Sequence, residues 1–285
     1  MSIILETSIA GIRGRLAERG KGPVILVPTM GALHAGHAKL IEEARRLAAR
    51  QGTVVVSISV NPTQFGPSED FEAYPRELES DQAKCDAAGA NVVFAPETGE
   101  MYAPDASVEV RELSLSKLLC GASRPGHFEG VCLVVLKLFN IVRPAAAVFG
   151  KKDYQQLAII QRMARDLNLE VAIHGVETVR EADGLAMSSR NAYLTSEERR
   201  QAPAIRRALL AAAALFNDGE RNAAALTTRA RDILDSGASL GRVDYLEIVD
   251  NSTMQRLESI ATPAVLAAAF FFGGCRLIDN IELTP

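Results

Sequence analysis

The chain has 285 residues, of which 48% are hydrophobic and 23% charged, and its formal net charge is −4. This composition predicts one large globular domain or two smaller ones, and the small negative charge gives no general attraction to nucleic acid or anionic membranes. The four cysteines are scattered without a C-x-x-C pair, which argues against a disulfide framework or a zinc site. No signal peptide is evident, and the longest apolar stretch, 131–142, is too short and too polar to span a bilayer. We therefore expect a cytoplasmic protein with no nucleic-acid or membrane partner.

The first part of the chain alternates between helical and strand patterns. The apolar run 24–27 and the β-branched run 53–60 predict buried strands, and the helix between them completes a parallel βαβ unit. The predicted elements here are a helix over 7–19, a strand over 24–27, a helix over 38–50, a strand over 53–60, an acidic loop through Asp70, a helix over 75–88 and a strand over 91–95.

The pattern continues and then changes near residue 178. The middle elements are an irregular stretch over 97–120 with one short strand, a loop over 124–130, a helix over 131–142, a strand over 145–149, a helix over 154–167 and a strand over 171–176. After a polar segment over 180–191, the predicted elements are a helix from the capping box at Thr195 to Phe216, a helix over 223–235, and strands over 243–249, 265–272 and 276–279. We predict a Rossmann-like α/β domain with a parallel sheet over residues 1–178 and a small α+β domain over 179–285.

The stretch from Pro28 to His37 reads PTMGALHAGH and joins the first buried strand to a helix. A helix start offers unpaired N–H groups and a partial positive charge, which suit an anion such as a phosphate. His34 and His37 are three residues apart, so they share one face if the first turn has begun there, and both can donate to phosphate oxygens. Two of only four histidines at this junction favour a functional site over simple caps.

Residues that follow later predicted strands are further candidates for ligand binding, and each also fits a purely structural role. Lys152 follows a predicted strand and can reach a phosphate, although with Lys151 it also fits a solvated pair. The segment 187–190 combines two hydroxyls and a guanidinium, which fits a loop that closes over a triphosphate or a polar linker. Gln64 and Gln156 lie beyond predicted strands and can bind a carboxylate or hydroxyl without adding charge.

Four other polar residues have open roles. Asp153 fits a helix N-cap or a contact to a ribose hydroxyl, and His127 fits a second-tier contact. His174 lies in a predicted strand and suits a structural role. Asp81 lies on a predicted helix, where it can help to hold magnesium or simply be solvated.

Several long motifs in this order resemble the pantothenate synthetase (pantoate–β-alanine ligase) family. The short H-x-G-H motif is common to the wider nucleotidyltransferase superfamily, whereas the full PTMGALHAGH is much narrower. Further similar segments are SVNPTQFG, YPR at 74–76, RPGHFEGV, KLFNIVRP, FGKKDYQQL, READGLAMSSRN and RLIDN at 276–280.

The resemblance implies an enzyme that joins (R)-pantoate to β-alanine with ATP and Mg²⁺ through a pantoyl adenylate, as a homodimer. The residues with an implied catalytic role are His34, His37, Lys152 and Arg190, with His37 as the proton donor. Those implied for ATP binding are Met30, Gly31, Ala32, Leu33, His34, Ala35, Gly36, His37, Gly150, Lys151, Lys152, Asp153, Val179, Met187, Ser188, Ser189 and Arg190. Gln64 and Gln156 are implied for pantoate, and Gln64 also lies against β-alanine. Lys151 stands where the family often has glutamate, so only a main-chain contact is expected there.

Two other functions share parts of this pattern. A nucleotidyltransferase acting on a phosphorylated acceptor uses the same H-x-G-H chemistry, but it needs a second cationic site where this chain offers neutral amides. A non-catalytic ATP sensor keeps the glycines and loses the charged groups, yet here both histidines, Lys152 and Arg190 are present.

Overall fold

The computed structural model describes residues 3–18, 20–67, 69 and 71–285. The strands are β1 (Ile4–Glu6), β2 (Val24–Thr29), β3 (Thr53–Ile58), β4 (Val92–Phe94), β5 (Ala146–Gly150), β6 (Ala172–Val176), β7 (Gly241–Asp250), β8 (Ala264–Phe272) and β9 (Cys275–Leu283). The α-helices are α1 (Ile9–Ala17), α2 (Ala35–Ala48), α3 (Leu78–Ala87), α4 (Thr98–Met101), α5 (Cys120–Ser123), α6 (His127–Val142), α7 (Tyr154–Asp166), α8 (Ser196–Gln201), α9 (Ala204–Asn217) and α10 (Ala223–Gly237). Arg19 and Asp70, which the sequence placed at the ends of a helix and a loop, lie outside the described residues.

These elements form two compact units. The first unit consists of Met1–Leu113, Arg124–Lys151 and Ile159–Glu177, and the second of Ser114–Ser123, Lys152–Ala158 and Thr178–Pro285. The second unit therefore includes two short segments that precede residue 178 in the chain.

The first unit is built on a six-stranded sheet in the order β1-β4-β3-β2-β5-β6, and every pairing in it is parallel. The inner strands β2, β3 and β5 consist mainly of buried apolar residues, as expected for strands covered on both faces. Helix α2 follows β2 and buries Ile41, Ala44 and Ala48 in the core beside the sheet. The predicted Rossmann-like α/β fold with its βαβ unit is confirmed.

The second unit contains an antiparallel sheet in the order β7-β8-β9. Strand β8 lies in the middle and is almost wholly apolar, and Ala264, Leu266, Ala268 and Phe270 belong to the core of this unit. The same core takes in apolar residues of α9 and α10, such as Leu209 and Leu226. The predicted α+β arrangement of helices followed by strands is therefore present.

Four local predictions were wrong. The stretch 97–120 contains no strand and instead forms α4, a 3-10 turn at Leu115–Lys117 and the start of α5. The predicted helix from 195 to 216 is interrupted, because Pro203 lies between α8 and α9 and its ring cannot continue an unbroken helix. Helix α6 begins at His127 and not at Val131, so part of the predicted loop is helical. Strand β1 was missed: it is three residues long and pairs with β4.

All four cysteines are buried, as expected for packing thiols. Burial raises the pKa of the Cys85 and Cys132 thiols to about 12, which keeps both uncharged at neutral pH. None of the helices in the described ranges is both long and apolar enough to cross a membrane.

Candidate active site

In the first unit, the chain leaves β2 through a tight turn that is held by a carboxylate. Gly31 has φ of 90° and Ala32 has φ of 52°, both in the left-handed region. The main-chain N–H groups of Ala32 and Leu33 donate to the two carboxylate oxygens of Asp81, each at 2.8 Å. A Cβ atom on Gly31 would lie 3.0 Å from that carboxylate, so the turn requires glycine on two counts. Asp81, on α3, therefore fixes the shape of the turn and is not a solvated carboxylate.

The two histidines of the PTMGALHAGH stretch cap α2. His34 is the N-cap residue, and its Nδ1 accepts a hydrogen bond from the Gly36 N–H at 3.1 Å. His37 returns the contact, because its Nδ1 accepts from the His34 N–H at 3.3 Å. The ring centroids are 4.1 Å apart, so the predicted shared face is confirmed. Since both Nδ1 atoms act as acceptors, each neutral ring carries its proton on Nε2, where it can be donated to a ligand.

Gln64 lies at the end of a 3-10 turn, Pro62–Gln64, that follows β3 in the first unit. Its amide Nε2 is 3.1 Å from the sulfur of Met30, and its Oε1 accepts from Asn61 Nδ2 at 3.0 Å. Asn61 is itself buried and accepts a hydrogen bond from the Tyr102 hydroxyl at 2.7 Å. The first unit thus brings Gln64 beside the start of the histidine-bearing segment.

In the second unit, Lys152 is a half-buried lysine whose ammonium group is partly desolvated. Burial lowers the pKa of its ammonium group below the usual value, and Asp153 and Asp279 only partly offset this effect. The Lys152 carbonyl accepts a hydrogen bond from Asn280 Nδ2 at 2.9 Å, which fixes its main chain to β9. Among the described residues of this unit, no carboxylate forms an ion pair with the Lys152 ammonium. An anionic ligand would supply the missing countercharge.

Residues 179–187 of the second unit form a small hydrogen-bonded hairpin with one bridge, between Arg180 and Ala186, in a segment that otherwise contains little regular structure, as its composition predicted. The Met187 N–H donates to the Val179 carbonyl at 3.0 Å, which pairs two residues predicted to contact ATP. Arg180 anchors the hairpin through a two-pronged ion pair with the buried Asp279, at 2.7 and 2.9 Å. The Ser188 hydroxyl accepts from the Arg190 N–H at 3.3 Å at the start of a 3-10 turn. The hydroxyls and the guanidinium are therefore on an ordered support.

The adjacent glutamines of α7 have different surroundings. Gln155 is buried, and its amide is saturated by main-chain groups: it donates to the Leu115 and Leu118 carbonyls and accepts from the Cys120 N–H. Gln156 is half-buried and makes no such contact among the described residues of its unit. Gln156, and not Gln155, is thus the residue of this pair that suits a ligand.

The residues at the end of β5 and just after it have different surroundings. A Cβ atom on Gly150 would meet nothing within 4 Å, so this position is open. The Lys151 side chain forms an ion pair with Glu177 at 2.5 Å, in keeping with a main-chain contact alone at position 151. Asp153 is exposed in a 3-10 turn, Lys151–Asp153, that runs directly into α7.

Sequence reasoning singled out Asp81 and His127 without their partners, and it missed the other side chains that hold these residues in place. The supporting groups in the first unit are Asp81, Asn61, Arg124 and His127, and those in the second unit are Arg180, Asp279 and Asn280. Asn61 and the 276–280 segment lie inside motifs that the sequence did single out, but nothing in those motifs shows which partner each side chain meets.

Comparison with known proteins decides the family. The family model for pantoate–β-alanine ligase matches residues 5–282. The chain belongs to the pantoate–β-alanine ligase family. It is 55% identical over 260 residues to the pantothenate synthetase of Akkermansia muciniphila, which covers 91% of this chain and 92% of that protein. As a member of this family, it is a ligase that forms an amide bond.

Solved structures of the same family have the same fold. The crystal structure of pantothenate synthetase from Thermus thermophilus matches with a TM-score of 0.93 at 44% identity, covering 99% of this chain and all of that one. A pantoate–β-alanine ligase from Francisella tularensis, complexed with beta-gamma ATP and beta-alanine, matches with a TM-score of 0.78 at 31% identity, over 98% of this chain and 97% of that one.

Proposed function

We propose that this ligase condenses (R)-pantoate with β-alanine to give pantothenate, with ATP activating the pantoate. In the first step a pantoate carboxylate oxygen attacks the α-phosphorus of ATP, and pyrophosphate leaves. In the second step the β-alanine amine attacks the acyl carbon of pantoyl adenylate, loses a proton and displaces AMP. Both nucleophiles belong to substrates, so the protein needs only to position them and to stabilise negative charge.

The observation that carries this proposal is the histidine pair at the start of α2. The Nδ1 atoms of both rings are taken by main-chain N–H groups, so both Nε2 atoms can donate toward phosphate oxygens. The N–H groups and dipole of α2 add to the attraction for an anion. We assign the ATP phosphates to His34 and His37, with His37 as the proton donor.

Charged groups of the second unit serve the same ATP molecule in this proposal. Lys152 has a partly desolvated charge that an anion would compensate, and Arg190 lies in a 3-10 turn beside the hydroxyls of Ser188 and Ser189. We assign Lys152 and Arg190 to the charge that develops on the departing pyrophosphate. Gly150, Val179 and Met187–Ser189 complete the proposed ATP contacts, and the 179–285 segment closes over bound ATP to exclude water from the adenylate.

The remaining assignments in this proposal concern the binding of pantoate and of Mg²⁺. Gln64 and Gln156 are neutral amides that can bind the pantoate carboxylate and hydroxyl groups. The described residues include no cluster of three or more His, Cys, Asp or Glu side chains placed to hold a metal. We therefore propose that Mg²⁺ is held mainly by ATP phosphate oxygens and water, where it neutralises charge. The homodimer stays a prediction from the family resemblance, and the cytoplasmic location stays a prediction from the sequence composition.

The deciding experiment measures AMP release from ATP and Mg²⁺ while (R)-pantoate and β-alanine are omitted in turn. AMP release that requires both acids, with pantothenate as co-product, supports the proposal. Pyrophosphate release that needs a phosphorylated acceptor, with none from pantoate, would replace it with a nucleotidyltransferase. Nucleotide binding without turnover would replace it with a sensor.

The role of His37 has its own test. We expect His37→Ala to slow pyrophosphate release by roughly 10²-fold or more while the folded state persists, the scale typical of losing one such group. A near-normal rate of the first step would remove His37 from the mechanism.

A further inference from the structure

The main chain of Gln64 is held by a buried histidine from a distant part of the first unit. His127, the first residue of α6, is 9% exposed, and its Nδ1 lies 2.9 Å from the Gln64 carbonyl oxygen. Arg124 donates to the same oxygen from Nη2 at 3.4 Å. The carbonyl of a proposed substrate-binding residue is thus fixed by two side chains that are about 60 positions away in the chain.

Chemistry assigns one protonation state to His127. The Gln64 carbonyl can only accept a hydrogen bond, so Nδ1 must carry a proton. Nε2 lies 3.0 Å from Arg124 Nη1, which can only donate, so Nε2 must be unprotonated. Only the neutral ring with its proton on Nδ1 satisfies both contacts. This is the opposite tautomer to the one assigned to His34 and His37.

A carboxylate completes the arrangement. Glu69 forms a two-pronged ion pair with Arg124, Nε to Oε1 at 2.6 Å and Nη2 to Oε2 at 2.5 Å. Both side chains are largely withdrawn from solvent. This pair fixes the plane of the guanidinium, so Arg124 presents Nη1 to the imidazole in a defined direction.

Helix α6 packs closely against the 3-10 turn that contains Gln64. A Cβ atom on Gly130 would lie 2.2 Å from the Thr63 carbonyl oxygen, so α6 approaches the 62–64 turn as closely as a glycine permits. Asn61 donates to the Gly130 carbonyl at 3.1 Å and to the Gln64 side-chain oxygen at 3.0 Å. Main chain and side chain of Gln64 are therefore located by the same helix.

We propose that His127 is a positioning residue for the acid substrate: in its Nδ1-protonated neutral form it fixes the Gln64 carbonyl and so aims the Gln64 amide at a hydroxycarboxylate. This inference rests on the proposed function, in which Gln64 binds pantoate. His127 itself has no contact with the reacting atoms in this role.

Two conservative variants separate the two hydrogen bonds of the ring. Asparagine places its amide near the Nδ1 position, so His127→Asn keeps a donor for the Gln64 carbonyl. Glutamine reaches the Nε2 position, so His127→Gln keeps the contact to Arg124 and loses the one to Gln64. His127→Leu loses both. Initial rates of pyrophosphate release give KM for pantoate, KM for ATP and kcat, and thermal unfolding is followed in parallel.

We expect His127→Asn to keep KM for pantoate within about threefold of the unmodified enzyme, and His127→Gln and His127→Leu to raise it about tenfold or more, the scale of one lost buried hydrogen bond. KM for ATP should stay within about twofold in all three, because the hydrogen bonds that orient His34 and His37 are not among those that change. Equal KM values for the Asn and Gln variants would overturn the proposal, as would a lowered Tm with an unchanged pantoate KM. If the Leu variant does not fold, the Asn and Gln pair still decides.

Two further measurements keep this inference apart from the proposed function. Gln64→Ala is measured first: an unchanged pantoate KM would remove Gln64 from the site, and the inference with it, while the ligase activity itself stands. Nitrogen-15 spectra of the imidazoles then report the tautomers. We expect a proton on Nδ1 of His127 and on Nε2 of His34 and His37, and a proton on Nε2 of His127 would overturn the proposal even in a fully active enzyme.

Discussion

At the scale of single residues, Lys152 combines a cost in stability with a proposed use in catalysis. The Lys152 side chain is half-buried, and the partial loss of hydration lowers the pKa of its ammonium group because the charged form is penalised. We expect Lys152→Met to leave the Tm of the ligand-free protein unchanged or higher, because it removes a desolvated charge that Asp153 and Asp279 only partly compensate. The same change should slow pyrophosphate release by roughly 10²-fold or more.

Thermal unfolding with and without Mg²⁺–ATP checks both halves of this prediction. ATP should raise the Tm of the unmodified protein more than that of the variant, since the phosphates compensate the lysine charge only where it exists. The matched control is Lys39→Met, which removes an exposed lysine paired with Glu42 on the surface of α2 and should leave both the Tm and the rate nearly unchanged. A Lys152→Met protein that is strongly destabilised without ligand would show that the ammonium is already well compensated.

Glu69 makes a pH-dependent contribution at the same scale. Burial by itself raises the pKa of Glu69, but the hydrogen bonds and positive charge of Arg124 outweigh it, so the pKa lies below its ordinary value of 4.5. A carboxyl group with a lowered pKa in the folded state stabilises the fold above about pH 4.5. That contribution is lost as the pH falls through the folded value.

Urea unfolding between pH 7 and pH 3 tests this prediction. The free energy of unfolding of the unmodified protein should fall more steeply below about pH 4.5 than that of Glu69→Gln, which has no carboxyl group to protonate at this position. The two curves should converge at the acid end. Parallel curves across the whole range would mean that the Arg124–Glu69 pair has the same strength whether or not Glu69 is ionised.

At the scale of elements, α3 supports the turn that precedes α2. Asp81 accepts one main-chain N–H on each carboxylate oxygen, and an asparagine at this position has only one acceptor oxygen. We expect Asp81→Asn to raise KM for ATP or to slow pyrophosphate release by roughly tenfold, because one buried N–H of the turn faces an amide donor.

The control variant for this prediction lies one helical turn away. Lys84 forms an ion pair with Asp81 at 3.6 Å and is partly exposed, so Lys84→Met removes the charge partner and leaves both hydrogen bonds in place. Its rate and its KM for ATP should stay close to those of the unmodified protein. If Lys84→Met were as harmful as Asp81→Asn, the charge of the pair would matter more than the shape of the turn.

The elements also show what the sequence could predict. The parallel βαβ unit was predictable because β2 and β3 are unbroken apolar or β-branched runs, which local pattern alone identifies. The interruption at Pro203 was also visible in the sequence, since proline rarely occurs inside a helix. Strand β1 could not be predicted, because three residues carry no periodicity and only the parallel pairing of Ile4–Glu6 with Val92–Phe94 defines it.

In the candidate site too, contacts within one local motif were predictable from the sequence, and contacts between distant parts of the chain were not. The histidine pair was predictable from a local motif, because His34 and His37 contact each other within one helical turn. The link between His127 and Gln64 spans 63 positions, and the hydrogen bond from Asn280 to the Lys152 carbonyl spans 128. No local pattern encodes such contacts, so only the folded chain reveals which groups support the site.

At the scale of the whole molecule, the proposed reaction requires ATP to bind residues of both units. The residues proposed to bind ATP come from Met30–His37 in the first unit and from Lys152 and Met187–Arg190 in the second. If ATP engages both sets, we expect its binding to change the distance between the units or to narrow the range of distances that they sample. The buried state of all four native cysteines makes this measurable, because thiol-directed dyes will react first with cysteines introduced at the surface.

A donor and an acceptor dye at Arg50→Cys in the first unit and Arg229→Cys in the second report the change, since both positions are exposed. We expect a non-hydrolysable ATP analogue with Mg²⁺ to shift the transfer efficiency or to narrow its distribution, and pantoate alone to do neither. Adding Lys152→Met should abolish the response, because the second unit then lacks the lysine proposed to bind the phosphates, whereas Lys39→Met should leave it intact. A transfer signal that ATP does not alter, in a protein that still makes pantothenate, would confine the nucleotide to the first unit and remove closure of the second from the mechanism.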